Sequence, residues 1–258
     1  MKHISCLVGI SLFCCAAASP ALADVTMKSK GGGTGMVGDM TGGMTQYIKG
    51  LKTRTDQTSG KGRLTSTIID LAAKRMIVLD HDTKEAQITD MAALSDTLAK
   101  AGVTDISVSI TPTAQTRQIA GQTCTVHEMK LAVPMAMGGP QLTMVMSGPQ
   151  CLVKNGPGQA EYLAFYRAAS ESGGFLDATQ AKTRPAAAKA MTDMYRKMAE
   201  LGVPFATEMR IGMEGSGPMA EMMKKMANTI TTEVTSVSTA AIDASIFEIP
   251  ADYKVSKR

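Results

Sequence analysis

Apolar and polar residues alternate in short segments along the first half of the chain, and this alternation predicts a β-rich domain. The segments are rich in β-branched residues and are separated by turn residues. Such spacing is typical of an antiparallel meander, in which each strand pairs with the next one along the chain. The strands predicted in this way are 25–30, 44–49, 52–56, 65–71, 75–79, 84–89, 103–111, 116–120 and 122–133.

Apolar residues recur at helical spacing after residue 158. This pattern predicts one helix over 159–171 and a second from Pro185, a favoured first helical residue, to a stop at Gly202. Shorter helices are predicted at 91–100 and 219–226, and further strands at 142–147, 207–213 and 229–238.

The chain does not alternate strands and helices in the βαβ manner, so a parallel sheet is not expected. We predict an α+β fold in which a curled antiparallel sheet, an incomplete β-barrel, has helices packed on or closing its concave face. No repeat and no linker divides the chain. Residues 24–258 are therefore predicted to form a single domain with a helical insertion at about 158–202.

A glycine-rich tract from Gly31 to Gly43 interrupts the strand pattern. So much glycine costs backbone entropy and offers little to pack, which favours a loop between strands. A phosphate-binding loop is the other interpretation of such a tract. No Gly-Lys-Ser/Thr sequence and no helix start follows it, so that interpretation is set aside.

The first 23 residues have the pattern of a cleavable signal peptide. Lys2 precedes an apolar run over 4–18, and Ala21 and Ala23 occupy the −3 and −1 positions of an A-x-A cleavage site. We predict cleavage between Ala23 and Asp24 and a periplasmic location. The apolar run is shorter than the roughly 20 residues that span a bilayer, which disfavours a membrane anchor.

Two other features of the chain limit its location and its partners. A lipoprotein signal requires a small residue just before the cysteine, and Phe13 and Cys14 stand there instead. The formal net charge is +4, and the basic residues are scattered, so no nucleic-acid-binding stripe is expected. No later segment is apolar enough to cross a membrane. The oligomeric state is not indicated by the sequence.

Two of the five cysteines lie beyond the cleavage site, Cys124 and Cys151. An even number of cysteines in an exported protein favours a disulfide. If 122–133 and 142–147 form a hairpin with Val133 opposite Leu142, the same register places the two cysteines opposite each other. Cross-strand Cα separations fall within disulfide range. We therefore predict a Cys124–Cys151 disulfide.

Catalysis requires polar groups that converge, and the sequence offers few of them. His81 lies in an Asp80-His81-Asp82 turn, which indicates a solvated turn, with a metal site as the alternative. His127 and Glu128 are adjacent on a strand and should point to opposite faces. Neither H-E-x-x-H nor G-x-S-x-G is present. We predict no catalytic residue, no metal ligand and no cofactor, and a protein that is not an enzyme.

Methionine is unusually frequent, with 21 residues. Thioethers suit Cu(I), so the spacing of three groups, Met36 with Met40 and Met44, Met135 with Met137, and Met144 with Met146, leaves copper binding open. Methionine is also a flexible filler of cores and of adaptable apolar pockets. The helical stripes 191–198 and 219–226 fit that second role, as do Met144 and Met146 on one face of a strand, and a curled sheet partly closed by helices can enclose an apolar cavity.

Several segments together resemble a known family. They are 47–54 (YIKGLKTR), 66–71 (STIIDL), 74–80 (KRMIVLD), 119–124 (IAGQTC), Val203-Pro204 and 247–254 (FEIPADYK). They resemble a family of secreted bacterial proteins of unknown function, of which the closing motif is the most specific part. That family is distantly similar to the lipoprotein-carrier (LolA-like) half-barrel. The resemblance covers most of the mature chain and implies this fold and an extracytoplasmic compartment, but no catalytic residues.

Three functions follow from these observations. The first is a periplasmic, non-enzymatic binding or carrier protein for an apolar ligand such as a lipid, an acyl chain or a lipoprotein. The second is an envelope protein–protein interaction module that binds through sheet edges or the 31–43 tract. The third is a methionine-rich copper-binding protein. The sequence names no ligand-binding residues for any of them.

Overall fold

The computed structural model describes residues 23–34, 42–91, 107–136, 141–172, 185–216 and 228–257. These ranges hold two α-helices, α1 (Gln159–Ser172) and α2 (Pro185–Leu201), and a 3₁₀ turn at Ala244–Phe247. They also hold twelve strands: β1 (Val25–Thr34), β2 (Gly42–Lys49), β3 (Lys52–Thr58), β4 (Leu64–Asp70), β5 (Arg75–Asp80), β6 (Glu85–Asp90), β7 (Ser107–Ile119), β8 (Gln122–Ala136), β9 (Gln141–Val153), β10 (Val203–Gly215), β11 (Asn228–Ser238) and β12 (Lys254–Lys257).

All twelve strands belong to one sheet, in the order β12-β6-β5-β4-β3-β2-β1-β11-β10-β9-β8-β7. It consists of two antiparallel meanders, β1 to β6 and β7 to β11, which are joined because β1 pairs with β11. The pair β12–β6 is parallel. The predicted class, a large curled and mostly antiparallel sheet with helices, is confirmed. The LolA-like similarity stays a prediction.

The described part of the segment predicted as two strands, 103–111 and 116–120, forms the single edge strand β7. Pro112 does not end the strand as predicted. Instead, the pairing with β8 shifts register between Pro112 and Thr116 and then resumes. Proline is tolerated here because an edge strand has one side on which no ladder hydrogen bond is required.

The glycine tract is not a loop over its whole length. Gly31 to Thr34 continue β1 and pair with β11, and Gly42 and Gly43 begin β2. The prediction was wrong at both ends because ladder hydrogen bonds involve the backbone, and glycine can make them without a side chain. Residues 35–41 lie outside the described residues, as do residues 1–22 of the predicted signal peptide, residues 92–100 of the helix predicted at 91–100, and the helix predicted at 219–226.

The helices lie between β9 and β10 in sequence and cover one face of the sheet, which we call the helix face. Tyr166 of α1 meets β2, since its hydroxyl accepts a hydrogen bond from Gln46 Nε2 at 3.1 Å. Met194 of α2 is buried in one cluster with Met129 of β8 and Met146 of β9. Side chains alternate along a strand, so the pairing register assigns Val25, Gln46, Met129 and Met146 to this face.

Gly202 separates α2 from β10, and the predicted helix stop is confirmed. Its N–H donates to Met198 O at 3.1 Å, and its φ is +156°. A Cβ at this position would lie 2.5 Å from Val153 O. The close approach of α2 to the end of β9 therefore requires glycine.

The opposite face, which we call the disulfide face, carries Cys124, Cys151, Ala206 and Glu233, which succeed one another across β8 to β11. Arg117 of β7 shares this face because it pairs with Cys124.

The sheet curls towards the disulfide face at its β7 end. In a flat sheet β7 and β11 would be four strand spacings, ~19 Å, apart. Arg117 Nη2 nevertheless lies 2.9 Å from Glu233 Oε2. The disulfide face is therefore the concave one in this part of the sheet, and the helices pack on the other face. The sequence-based expectation placed them on or across the concave side.

The C-terminal segment covers the disulfide face of the first meander. Phe247 is 1% exposed and packs with Ile68, Ile77, Leu79 and Ala86. Ile249 and Tyr253 of the same motif pack against this cluster, and Lys84 Nζ binds Asp252 Oδ2 at 2.7 Å. The most specific part of the family resemblance thus closes one half of the sheet.

Candidate functional site

A cleft of about 500 Å³ opens on the disulfide face where β7 curls towards β11. Small-molecule sites commonly have volumes of ~300–1,000 Å³. The lining residues come from β1, β7, β8, β9, β10 and β11, so strands far apart in the sequence share the walls.

The apolar part of the cleft consists of Val126, Pro149, Cys151 and Ala206. Val126, Cys151 and Ala206 lie in one row across β8, β9 and β10, since Cys151 pairs with both of the others. All three are buried. The disulfide thus forms part of a small apolar surface at the bottom of a concave region.

A group of three charges lies at the β1 and β7 sides of the cleft. Glu233 Oε1 is 2.9 Å from Lys30 Nζ, and Glu233 Oε2 is 2.9 Å from Arg117 Nη2. The hydrogen bond from Lys30 lowers the pKa of Glu233 most. Burial opposes this effect, and the charge of Lys30 and the contact with Arg117 lower the pKa further, so the net shift is downwards. Two cations share one carboxylate, which leaves these three side chains with one unit of positive charge. The cleft has a second carboxylate, Glu208, which pairs with Arg210 outside the lining at 2.7 Å.

Glycines form the β1 wall of the cleft. Gly31 and Gly32 line it and pair with Thr232 and Thr231 of β11. A Cβ at position 32 would lie 2.8 Å from Thr231 Oγ1. The absence of side chains on this stretch keeps the cleft open beside Glu233, a role for the glycine tract that the sequence did not indicate.

The predicted disulfide between Cys124 and Cys151 is confirmed, but the predicted register was wrong. Cys151 pairs with Val126, and Val133 pairs with Met144 instead of Leu142. The bridge is therefore diagonal, with 5.3 Å between the two Cα atoms. A slip of two residues keeps every side chain on the same face, so both cysteines still meet.

A second polar group surrounds Ser66, at the other end of the same face. Ser66 Oγ lies 2.7 Å from His81 Nε2, and His81 Nδ1 lies 2.7 Å from the Tyr253 hydroxyl. Ser66 is fully buried, and its Oγ also accepts a hydrogen bond from Arg54 Nη2 at 3.1 Å. A serine and a histidine at this distance raise the question of nucleophilic catalysis.

The hydrogen-bond directions answer that question for this arrangement. Ser66 donates its single proton to Asp56 Oδ1 at 2.5 Å. His81 Nε2 then donates to Ser66 Oγ, since that oxygen has no second proton to give. His81 therefore does not remove a proton from Ser66. The group holds the C-terminal segment against the sheet.

The Asp80-His81-Asp82 turn is solvated only in part, because Asp82 is exposed whereas His81 is half-buried in the contacts just described. Asp80 and Asp82 both pair with Arg63, and His81 contacts Ser66 and Tyr253, so the three side chains do not converge on one point. Among the described residues, no group of three or more His, Cys, Asp or Glu side chains is arranged to hold a metal ion.

His127 and Glu128 lie on opposite faces of β8, as the alternation predicted, with His127 buried and Glu128 exposed. His127 Nδ1 is 2.9 Å from Thr125 O on the same strand. The described methionines Met129, Met146 and Met194 pack together as core residues. None of the helices in the described ranges has both the length and the hydropathy of a bilayer-spanning helix.

No family model and no curated protein matches the chain. Among solved structures, the chain is similar to one titled "Structure of PNGF-II in P21 space group", with 10% sequence identity and a TM-score of 0.34. The match covers 92% of this chain and 32% of that one, so the chain spans about a third of that structure's length. A similarity this low supports no argument about fold or function.

Proposed function

We propose that the protein is a periplasmic, non-enzymatic binding or carrier protein for a single-chain amphiphile with one anionic headgroup, held in the concave cleft. The observation that carries this proposal is an apolar surface next to a charge group with one unit of excess positive charge. The apolar surface would take the acyl chain, and Lys30 and Arg117 would take the headgroup.

The bottom of the cleft offers an apolar surface to the acyl chain of the ligand. Val126, Cys151 and Ala206 present contiguous apolar atoms at the bottom of the cleft. Burial of apolar surface stabilises a complex by roughly 25 cal/mol per Å². A cleft of about 500 Å³ suits one acyl chain better than a folded partner.

The headgroup has two exposed cations within reach. The side chains of Lys30 and Arg117 are 69% and 50% exposed. An anion can therefore approach both of them directly from solvent. Guanidinium groups bind carboxylate and phosphate in a bidentate manner, and Lys30 adds a point charge. Glu233 positions both cations and limits the site to ligands of low negative charge.

Export is consistent with the same proposal. A disulfide is stable in an oxidising compartment such as the periplasm. The predicted signal peptide would deliver the chain there. The compartment also holds the lipids and lipoproteins whose acyl chains the cleft would accept.

The two alternative functions have less support among the described residues. The edge strand β7 carries Pro112 and an irregular register, and both features hinder pairing with another chain. Of the methionines that could bind copper, Met144 and Met146 pack among apolar neighbours in the core, and Met36, Met40 and Met137 lie outside the described residues.

The first test is native mass spectrometry of the mature protein purified from its own periplasm, with organic extraction of anything bound. The second is a titration with palmitate and, in parallel, with its methyl ester, which has the same chain without the charge. We expect palmitate to bind at least tenfold more tightly, since a charged hydrogen bond contributes ~1.5–3 kcal/mol.

Variants locate the binding. The double variant Lys30→Gln/Arg117→Gln should remove the difference in affinity between palmitate and its methyl ester. Lys130→Gln changes a lysine on the same face that pairs with Glu214 outside the cleft, and should preserve the difference. No bound molecule from the periplasm together with equal or undetectable binding of both probes would exclude the proposal.

A further inference from the structure

The predicted first residue of the mature chain is held in place by its side chain. Asp24 Oδ2 accepts hydrogen bonds from Lys49 Nζ and from the backbone N–H of Ile242, each at 2.7 Å. Burial raises the pKa of Asp24, but these two bonds outweigh it and the net shift is downwards. Ala23, on the other side of the predicted cleavage site, is exposed. Asp24 is therefore an ordered, ionised residue at the point where the chain would be cut.

A buried carboxylate close to this point has one oxygen without a hydrogen-bond partner. Glu161, in the first turn of α1, is 3% exposed. Its Oε1 accepts a hydrogen bond from Gly50 N at 3.1 Å, whereas Oε2 has no hydrogen-bond partner. Burial raises the pKa of Glu161, and the negative charge of Asp24 raises it further. An unpaired buried carboxylate oxygen is costly and calls for an explanation.

Three contacts place Asp24 and Glu161 in the same neighbourhood. Lys49, which binds Asp24, directly precedes Gly50, which binds Glu161. The first turn of α1 also touches the residue after Asp24, because a Cβ at Gly158 would lie 2.4 Å from Val25 Cγ2. The start of β1, the β2–β3 turn and the start of α1 thus meet at one point.

The charges at this point do not balance in the uncleaved chain. Among the described residues, the carboxylates of Asp24, Glu161 and Asp243 all interact with the charge of one cation, Lys49. The pKa of Asp243 is lowered by its hydrogen bonds with Ser245 and, less strongly, by Lys49. Lys49 Nζ also donates to Ile242 O at 3.0 Å, so two of the three N–H groups of its ammonium are already in use. Among the described residues of this region, one cation therefore faces three carboxylates.

We propose that signal-peptide removal supplies a second cation: the new α-ammonium of Asp24 binds the unpaired Oε2 of Glu161 and fixes the mature N-terminus against α1. Hydrolysis of the Ala23–Asp24 peptide bond consumes one water, leaves a carboxylate on Ala23 and frees the amine of Asp24. That amine takes up a proton at neutral pH. Before cleavage the same nitrogen is a neutral amide and cannot balance the charge.

The inference depends on the predicted cleavage site and is independent of the proposed ligand. It provides a binding partner for the unpaired Oε2 of Glu161. It also makes folding of the mature chain more favourable than folding of the uncleaved precursor, because ion pairing at a buried site contributes only when both charges are present.

The test is a double-mutant cycle on the mature chain that begins at Asp24. Urea unfolding is measured for the free amine and for the Nα-acetylated chain, each with Glu161 and with Glu161→Gln. We expect acetylation to lower the folding equilibrium constant about tenfold in the Glu161 background and to have little effect with Glu161→Gln. Glu171→Gln, an exposed position on the same helix, should behave like the unchanged chain.

A direct readout covers the case in which Glu161→Gln does not fold. The α-amine of the folded mature chain should react with an N-hydroxysuccinimide ester at least tenfold more slowly than after unfolding, whereas the exposed Lys74 should show no such protection. Equal effects of acetylation in both backgrounds, an unprotected α-amine, or a native N-terminus at a residue other than Asp24 would each overturn the proposal.

Discussion

Arg117 Nη2 lies 2.9 Å from Glu233 Oε2 although three strands separate β7 from β11 in the sheet. This contact shows that the sheet curls at this end. Lys30 of β1 binds the same carboxylate of Glu233. The curl creates the cleft. Without it, the row of Val126, Cys151 and Ala206 at the bottom of the cleft would lie on an open surface. The same contact supplies the charge next to the apolar part of the cleft, so shape and charge have a common origin.

Removal of the Arg117 charge should loosen the edge of the sheet with a small effect on global stability. We expect Arg117→Gln to lower the free energy of unfolding by about 0.5–1 kcal/mol at low salt, since the pair is partly exposed, and by less at ~1 M salt. Hydrogen exchange should accelerate in β7 alone. Lys130→Gln is the control. Equal hydrogen-exchange rates in β7 of the two variants would show that Arg117 does not hold the edge of the sheet.

Reduction of the Cys124–Cys151 disulfide should destabilise the domain substantially. The two cysteines are 27 residues apart, and the loop they close constrains the unfolded chain by about 3.5 kcal/mol in the chain-entropy model. Unfolding in urea with and without dithiothreitol measures this loss. The double variant Cys124→Ala/Cys151→Ala should have the same free energy of unfolding with and without dithiothreitol. A sensitivity of that variant to the reductant would point to a different cause.

Truncation of Phe247 should release the C-terminal segment from the sheet. Phe247 is almost completely buried among aliphatic residues of β4, β5 and β6, so Phe247→Ala should cost about 3–5 kcal/mol. Val255→Ala, at an exposed position of β12, should change stability by less than ~0.5 kcal/mol. Equal losses for the two variants, measured by urea unfolding, would show that Phe247 does not hold the segment.

Acid should remove the stabilisation that Asp24 provides. Its pKa is lower in the folded than in the unfolded chain, so the contribution is complete above the unfolded value of about 3.9 and disappears as the pH falls through the folded value. Asp24→Asn should therefore cost about 1–3 kcal/mol near pH 6 and little near pH 2, measured by thermal unfolding across this range. Asp82→Asn, at an exposed turn, is the control, and a pH-independent cost would contradict the ionic origin.

The local elements of this protein could be read from the sequence because local patterns determine them. The alternation between residues 44 and 89 predicted β2 to β6 to within a few residues. The apolar stripe of 159–171 and the stop at Gly202 marked the two helices. The disulfide was predicted as well, because the parity of a strand places Cys124 and Cys151 on one face under either register.

The tertiary structure decided what those patterns leave undetermined. A strand pattern repeats every two residues, so it does not distinguish the observed β8–β9 register from one shifted by two. Nor does it specify how far a sheet coils, and the coiling brings Arg117 to Glu233 and creates the cleft. Ser66, His81 and Tyr253 meet for the same reason, since Tyr253 lies 172 residues beyond His81 and reaches it only through the path of the C-terminal segment. Contacts of this kind depend on packing over the whole sheet, which no local period encodes.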